Sequence, residues 1–399
     1  MVKTVLIIID GLGDAPISAL NNKTPLETAF TPNIHYIATK GEIGRINTVF
    51  PGFPIESMVC IMGLLGYEPE NFYPSGRASF EALAKGIPLS PEDLVLRCNL
   101  ISLDNEQKII TDFTAGLISD NEARKIISKI KLPASNWELY PGQSYRNTLI
   151  IRNAAIDPKT IKCAEPHMNI GKEVEQILPS FTTDIELNII LNNFLLNTRE
   201  QIRNMNAPES RADMLWVWSP SVKPNWPSFY SRTGIKAGFV GALDFLHGIA
   251  MAADIDFDII PGATGYIDTD YKMKGIYGIK YLHKYDFTLV HINATDEEAH
   301  QLNYLGKKEA IEKIDKEVVG PILQELESCF KDNYRIVVCG DHETRSTDGK
   351  HGNTPVPYAL YGKNVLPNNT YNQWHEKICE NYSIKPSLTF LNEVINCHE

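Results

Sequence analysis

Four places along the chain set a metal-type ligand directly behind a short apolar run. Asp10 ends VLIIID, and Asp296 and His300 follow FTLVHINAT in a D-x-x-x-H spacing. Asp341 and His342 follow RIVVCG as an adjacent pair, and His351 comes nine residues after His342. The i, i+4 spacing of Asp296 and His300 puts both on one face if a helix begins there. Each residue alone has an ordinary reading. An Asp behind a strand caps a helix or forms a turn, and a lone His packs in the core or sits on the surface. Together they make three carboxylates and three imidazoles, a mixed O/N set suited to Mn²⁺ or Zn²⁺ and too rich in imidazole for Ca²⁺ or Mg²⁺ alone. Six ligands divide into two sites of three, and paired metals about 4 Å apart clamp the attacking and leaving oxygens of a phosphoryl group.

A nucleophile is then wanted. In PGFPIESMVCIMGLLGYEP, Ser57 follows a Pro/Gly turn and opens the apolar stretch Met58–Leu65. A helix N-terminus offers free N–H groups to a phosphate or phosphoserine, and a metal on the hydroxyl activates it. The competing reading is a plain N-cap. Cys60, one turn on, reads as core.

These residues need a frame that brings strand ends together. Val5–Ile9, Phe287–Ile292 and Ile336–Cys339 are continuously apolar, as in parallel strands buried on both faces. Helical patterns at Leu20–Lys40, Leu187–Met205 and Lys307–Phe330 lie between them. The expected class is α/β, a doubly wound and mostly parallel sheet that gathers ligands at its carboxyl edge. From about Ser90 to Leu178 the pattern changes to hairpin pieces (Asp93–Ser102 with Gln107–Asp112, Trp137–Tyr140 with Asn147–Arg152) and one helix, Asp120–Ile130. This predicts a discontinuous core, residues 1–85 and 181–399, carrying an inserted α+β domain at 86–180.

The chain has 399 residues, 43% hydrophobic and 22% charged, with a net charge of −11. That size buries a large core without disulfides, and the acidic balance argues against a nucleic-acid partner. No apolar run reaches the roughly 20 residues of a membrane span. The start, MVKTVLIIIDG, lacks a signal-peptide pattern. Seven scattered cysteines, none as CxxC, fit a reducing compartment, so a cytoplasmic location is expected.

IDGLGD, the serine followed by LLGY, GRASFEAL, PGATGYIDTDY, VHINATDEEAH with EAIEKID, and GDHET before HGNTPVP occur in collinear order over about residues 1–395. Together they resemble the archaeal-type cofactor-independent phosphoglycerate mutases of the alkaline phosphatase superfamily. The resemblance implies Ser57 as nucleophile and two divalent ions (Mn or Zn, with Mg or Co possible) but no bisphosphoglycerate. One ion would be held by Asp10, Ser57, Asp341 and His342, the other by Asp296, His300 and His351. It further implies Lys236 in TGIKAGF beside the phosphoserine. Arg77, Arg97, Arg146 and His167 would bind a small phosphorylated metabolite, with the insertion closing as a lid. Three departures bear on substrate. Met58 stands where Asp usually follows the nucleophile. TDFTAGL puts Phe113 and Leu117 where arginines are expected, and WVWSP puts Trp218 at another arginine position. Each lost arginine removes a fork for an anionic group. A changed substrate therefore stands beside the mutase reading, in a phosphomonoesterase or a homoserine-kinase-like phosphotransferase. A catalytically idle scaffold is disfavoured by the complete ligand set.

Overall fold

The computed structural model describes residues 2–205, 210–371 and 373–396. The chain forms two compact units, Met1–Phe72 with Trp226–Glu399, and Tyr73–Asn225.

The first unit is built on an eight-stranded sheet. Its order is Asp256–Phe257, Ala237–Val240, Phe287–Ile292, Lys3–Ile9, Tyr334–Gly340, Val356–Gly362, Glu42–Asn47 and Ile384–Pro386. The first five strands run parallel, and Val356–Gly362 enters antiparallel between Tyr334–Gly340 and Glu42–Asn47. Lys3–Ile9 lies at the centre of this arrangement. Its Val5, Ile7 and Ile9 pack into a core with Ile34, Ile37, Ile311 and Ile314, while Leu6 and Ile8 are buried on the other face. That two-sided burial accounts for the unbroken apolar runs.

The expected helix over 20–40 is broken by its prolines. Pro25 and Pro32 each open a short helix, Pro25–Thr28 and Pro32–Lys40, because a residue without an N–H is tolerated only in a first turn. Asp315 caps the second of these, accepting from the Asn33 and Ile34 amides at 3.3 and 2.7 Å. The long helix beginning at Tyr304 persists to Phe330 but passes through π-helical turns at Asp315–Val319 and Leu326–Phe330. Pro321 lies just after the first of these turns, where its missing N–H cannot serve a regular ladder.

The second unit centres on Leu94–Leu103. This strand pairs antiparallel with Arg146–Ile151, Met214–Ser221 and Ile110–Asp112, and Trp137–Tyr140 pairs with Arg146–Ile151. The unit extends beyond the 86–180 read from sequence at both ends. On the carboxyl side Met214–Ser221 completes this sheet, and Leu191, Phe194 and Leu195 of the Ile185–Arg203 helix join its core. The helix at Asp120 ends at Ile127, and it starts with a capping box between Ser119 and Glu122.

Candidate active site

The parallel register sets the carboxyl ends of three adjacent strands side by side. Asp10 follows Lys3–Ile9, Asp296 sits in the Ala294–His300 helix behind Phe287–Ile292, and Asp341 and His342 follow Tyr334–Gly340. His351 is returned to the same place by a hairpin in which it pairs with Thr344. All six sequence-predicted ligands therefore meet at one edge of the sheet.

Ser57 is the first residue of the Ser57–Leu64 helix. Its Oγ lies 3.3 Å from both oxygens of Asp10 and 3.2 Å from His342 Nε2. His342 Nε2 is 3.4 Å from Asp10 Oδ1 and 3.6 Å from Asp341 Oδ2. Beside this group, His300 Nε2 and His351 Nε2 approach Asp296 at 3.2 and 3.5 Å and each other at 3.0 Å.

The hydrogen bonds on the far side of each ring define what these nitrogens are. His300 Nδ1 is 2.7 Å from the Gly349 carbonyl, and His351 Nδ1 is 2.6 Å from the Ile55 carbonyl. Carbonyls only accept, so each Nδ1 carries a hydrogen, and each Nε2 can present a lone pair to a cation once the proton it shares with Asp296 is displaced. His342 follows the same rule. Thr344 donates its one hydrogen to Asp296 Oδ1 at 2.5 Å, which leaves its oxygen to accept from His342 Nδ1 at 3.1 Å. Three Nε2 atoms thus face three carboxylates, an arrangement that holds only with protons or cations standing between them.

The electrostatics carry the same demand. Burial, with the charges of Asp341 and Asp296, raises Asp10 well above the usual carboxylate range. For Asp296, burial pushes upward, but hydrogen bonds from His300 and His351 prevail and hold it well below. The Asp296 contact lifts His300 to about 9, whereas burial depresses His342. Asp341 Oδ2 is buried with no hydrogen-bond partner. Donor atoms of Asp10, Asp341 and His342 lie within 4.8 Å of one another, as do those of Asp296, His342 and His351. The donor chemistry, the fixed tautomers and the orphaned oxygen all fit bound divalent ions.

A family model described as 2,3-bisphosphoglycerate-independent phosphoglycerate mutase matches residues 38–207. A protein of that description from Methanosarcina barkeri is 36% identical over 371 residues, covering 90% of each chain. The chain belongs to this mutase family. A probable mutase of the same kind from Geobacter sulfurreducens is 32% identical over 373 residues, 92% of each chain. Among solved structures, a Pyrococcus horikoshii protein matches with a TM-score of 0.82 at 26% identity, over 100% of this chain and 98% of its own. The cofactor-independent phosphoglycerate mutase of Thermoplasma acidophilum matches with a TM-score of 0.68 at 27% identity, over the whole of both chains.

As a member of the mutase family the chain is an enzyme, and its own residues qualify the sequence reading in two ways. Lys236 is not at the site. It precedes Ala237–Val240, and that strand runs parallel to its neighbours with Ala237 level with Phe287, so Lys236 stands exposed at the opposite edge from Asp10. A buried lysine that feels the charge of Asp10 is Lys274, in the Tyr271–Lys284 helix. Burial lowers its ammonium to about 7, and its Nζ donates to the Thr264 carbonyl at 3.2 Å.

The second correction is a set of supporting residues the sequence reading passed over. Thr344, within GDHET, orders both His342 and Asp296. Asn293 donates to Asp10 Oδ2 at 2.6 Å, and Thr295 donates to the Asp10 carbonyl. His291 is wholly buried with Nε2 3.6 Å from Asp10 Oδ2 and 3.9 Å from Asp341 Oδ2, and neither ring nitrogen has a closer partner. Gly11 takes φ +61°, and a Cβ there would meet Thr344 Oγ1 at 2.6 Å and Asp296 Oδ1 at 2.7 Å. The tight D-G turn leaves no room for a side chain.

Within the second unit, two of the residues expected to grip substrate, Arg97 and Arg77, share one carboxylate, Glu81. Arg97 is almost fully buried, 3.1 Å from Glu81, with its guanidinium 4.1 Å from the Trp218 ring centre. Burial lowers it to about 10. Arg77 is 4.0 Å from the same Glu81, and the more exposed Arg146 lies over the Tyr145 ring. His167 contacts Glu165 at 3.2 Å and packs edgewise between the rings of Phe113 and Trp218. Leu117 is 75% exposed, so only Phe113 of the two arginine replacements joins this cluster. Met58 and Cys60 are buried, as core residues of the Ser57 helix.

Proposed function

We propose that the protein interconverts 3-phosphoglycerate and 2-phosphoglycerate without bisphosphoglycerate, through a phosphoserine at Ser57. The observation that carries this reading is the position of Ser57 Oγ, at a helix start and within 3.3 Å of Asp10 and His342. Asp10 and His342 orient the hydroxyl, whose proton, within hydrogen-bond distance of Asp10, passes to the departing glycerate oxygen. Ser57 Oγ bonds to phosphorus as the bond to the glycerate oxygen breaks. The second half reverses this at the neighbouring hydroxyl, which takes the phosphoryl group and returns Ser57 to its free form. Two divalent ions, one held by Asp10, Ser57, Asp341 and His342 and the other by Asp296, His300 and His351, would supply Lewis-acid activation of the hydroxyl and offset the phosphoryl charge. Mn²⁺ and Zn²⁺ suit the donor set best.

His291, Asn293 and Thr344 hold the ligands in place, a task on which metal affinity commonly depends. Arg77, Arg146 and His167 are assigned to the substrate carboxylate and hydroxyls. Among the described residues no helix is long and apolar enough to cross a membrane, and a cytoplasmic enzyme acting on a small phosphorylated metabolite is proposed.

A second reading keeps the phosphoserine and changes the acceptor, as in a phosphomonoesterase or a homoserine-kinase-like enzyme. It draws on Arg97, whose guanidinium is already taken up by Glu81 and Trp218, and on the aromatic surface that Phe113 adds. The test is a three-way assay of the Mn²⁺-loaded protein: phosphoglycerate isomerisation, phosphate release from monoesters, and ATP-dependent phosphorylation of homoserine. Isomerisation as the fastest of the three supports the mutase. Dominance of either other reaction transfers the assignment.

A further inference from the structure

Away from the strand ends, two helices of the first unit bring a nitrogen, an oxygen and a sulfur donor together. His283 lies in the last turn of Tyr271–Lys284, Glu325 ends Gly320–Glu325, and Cys329 lies one turn on, in the π-helical segment Leu326–Phe330. His283 Nε2 is 2.7 Å from Glu325 Oε1, and the Cys329 thiol donates to the same oxygen at 3.0 Å. One donor atom from each residue lies within 4.8 Å of the other two. The His283 ring is held beside Phe330, 5.5 Å between centres. His283 and Cys329 are exposed and Glu325 is partly so, leaving the group open to solvent on one side.

A single carboxylate oxygen that accepts from an imidazole and a thiol marks the focus of three converging donors. A cation at that focus replaces the two hydrogens: the thiol proton passes to solvent and the sulfur binds as thiolate, while the imidazole proton shifts to Nδ1, or to solvent from a charged ring, freeing the Nε2 lone pair. The donor set is borderline to soft, and three protein ligands with one open position match the coordination habit of zinc. The hard ions Mg²⁺ and Ca²⁺ have no use for the sulfur. Rigid helices supply all three side chains, so little ordering is required on binding.

We infer that His283, Glu325 and Cys329 form a surface site for one Zn²⁺ ion per chain, tying the end of the Tyr271–Lys284 helix to the segment that closes the long helix at Phe330. The site is separate from the six-ligand centre and shares no residue with it.

The test uses the full-length, reduced protein, first loaded with Mn²⁺ and then titrated with Co²⁺ as a spectroscopic stand-in for zinc. None of the ligands proposed for the catalytic centre is a sulfur atom, so a thiolate-to-cobalt charge-transfer band reports the surface site. The expected result is such a band saturating at one ion per chain and abolished by added Zn²⁺. It should be absent in Cys329→Ser, and the ion should bind more than about ten-fold more weakly in His283→Ala, which loses one of three ligands. Zn²⁺ should raise the melting temperature of the Mn²⁺-loaded wild type by more than that of Cys329→Ser, the excess reporting the surface site. Absence of the band in the wild type overturns the inference, and so does a band that survives unchanged in Cys329→Ser.

Discussion

Lys307 offers a sharp test of how the site is held together. It is wholly buried, and its Nζ uses all three hydrogens: on Asp14 Oδ2 at 2.9 Å, the Gly13 carbonyl at 3.0 Å and the Thr344 carbonyl at 2.7 Å. Ser346 adds two bonds to Asp14, from its amide at 3.0 Å and its hydroxyl at 2.6 Å. One ammonium therefore clamps the turn behind Asp10 to the turn behind His342. Lys307→Met keeps most of the volume but leaves a buried carboxylate and two carbonyls without their donor. Breaking a buried pair from one side costs about 3–5 kcal/mol. For a unit of this size that corresponds to a melting temperature lower by between about 6 and 20 °C. Asp14→Asn combined with Lys307→Met removes both charges and should recover part of the loss, with a coupling of about 0.5–3 kcal/mol in the double-mutant cycle. Thermal unfolding of the four proteins at neutral pH measures it. A Lys307→Met protein melting within about 2 °C of wild type, a loss below about 1 kcal/mol, would refute the clamp.

Other outcomes follow from the same geometry. His291→Asn should bind Mn²⁺ about 10–100-fold more weakly by calorimetry, and unchanged affinity would show that the orphaned ring nitrogens play no part in holding Asp10 and Asp341. Burial raises Glu376 from an ordinary 4.5 to about 7, so the folded chain binds its proton more tightly than the unfolded one. The stability this proton contributes is present below pH 4.5 and lost as pH rises through about 7, up to about 3 kcal/mol; Glu376→Gln should flatten that part of the stability-pH profile, and an unaltered profile contradicts the assignment. Phe113→Arg with Leu117→Arg should raise phosphoglycerate isomerisation if lost positive charge limits substrate binding, and no gain in kcat/KM would remove that explanation. Ser57→Ala should lose several orders of magnitude in turnover while retaining most Mn²⁺ binding; substantial residual activity would reject the nucleophile.

The convergence of the six candidate ligand side chains is legible in the sequence because a parallel sheet turns position along the chain into position in space. Asp10, Asp296 and Asp341 each follow an apolar run, and runs that lie parallel and adjacent end together. The same logic excludes Lys236, which precedes its strand and stands at the other edge. Lys274 escaped notice because burial of a lysine within a helix depends on what packs over it, here the Thr264 loop, and leaves no local pattern. His291 was hidden inside the very run that was read as strand. The second unit was drawn too short because its boundary rests on pairing between Leu94–Leu103 and Met214–Ser221, more than a hundred residues apart. Local periodicity cannot report such a pairing. The breaks at Pro25 and Pro32 follow from proline chemistry, although the apolar period over 20–40 reads as one helix.

The central claim is that phosphate passes through Ser57, and rapid quenching tests it most directly. Mn²⁺-loaded protein is mixed with 3-phosphoglycerate carrying ¹⁸O-labelled phosphate, stopped in acid within a turnover, and the peptide containing Ser57 is weighed. The account predicts a phosphorylated peptide bearing the label at Ser57, decaying as 2-phosphoglycerate forms. Turnover with the Ser57 peptide unmodified at every time point would contradict it.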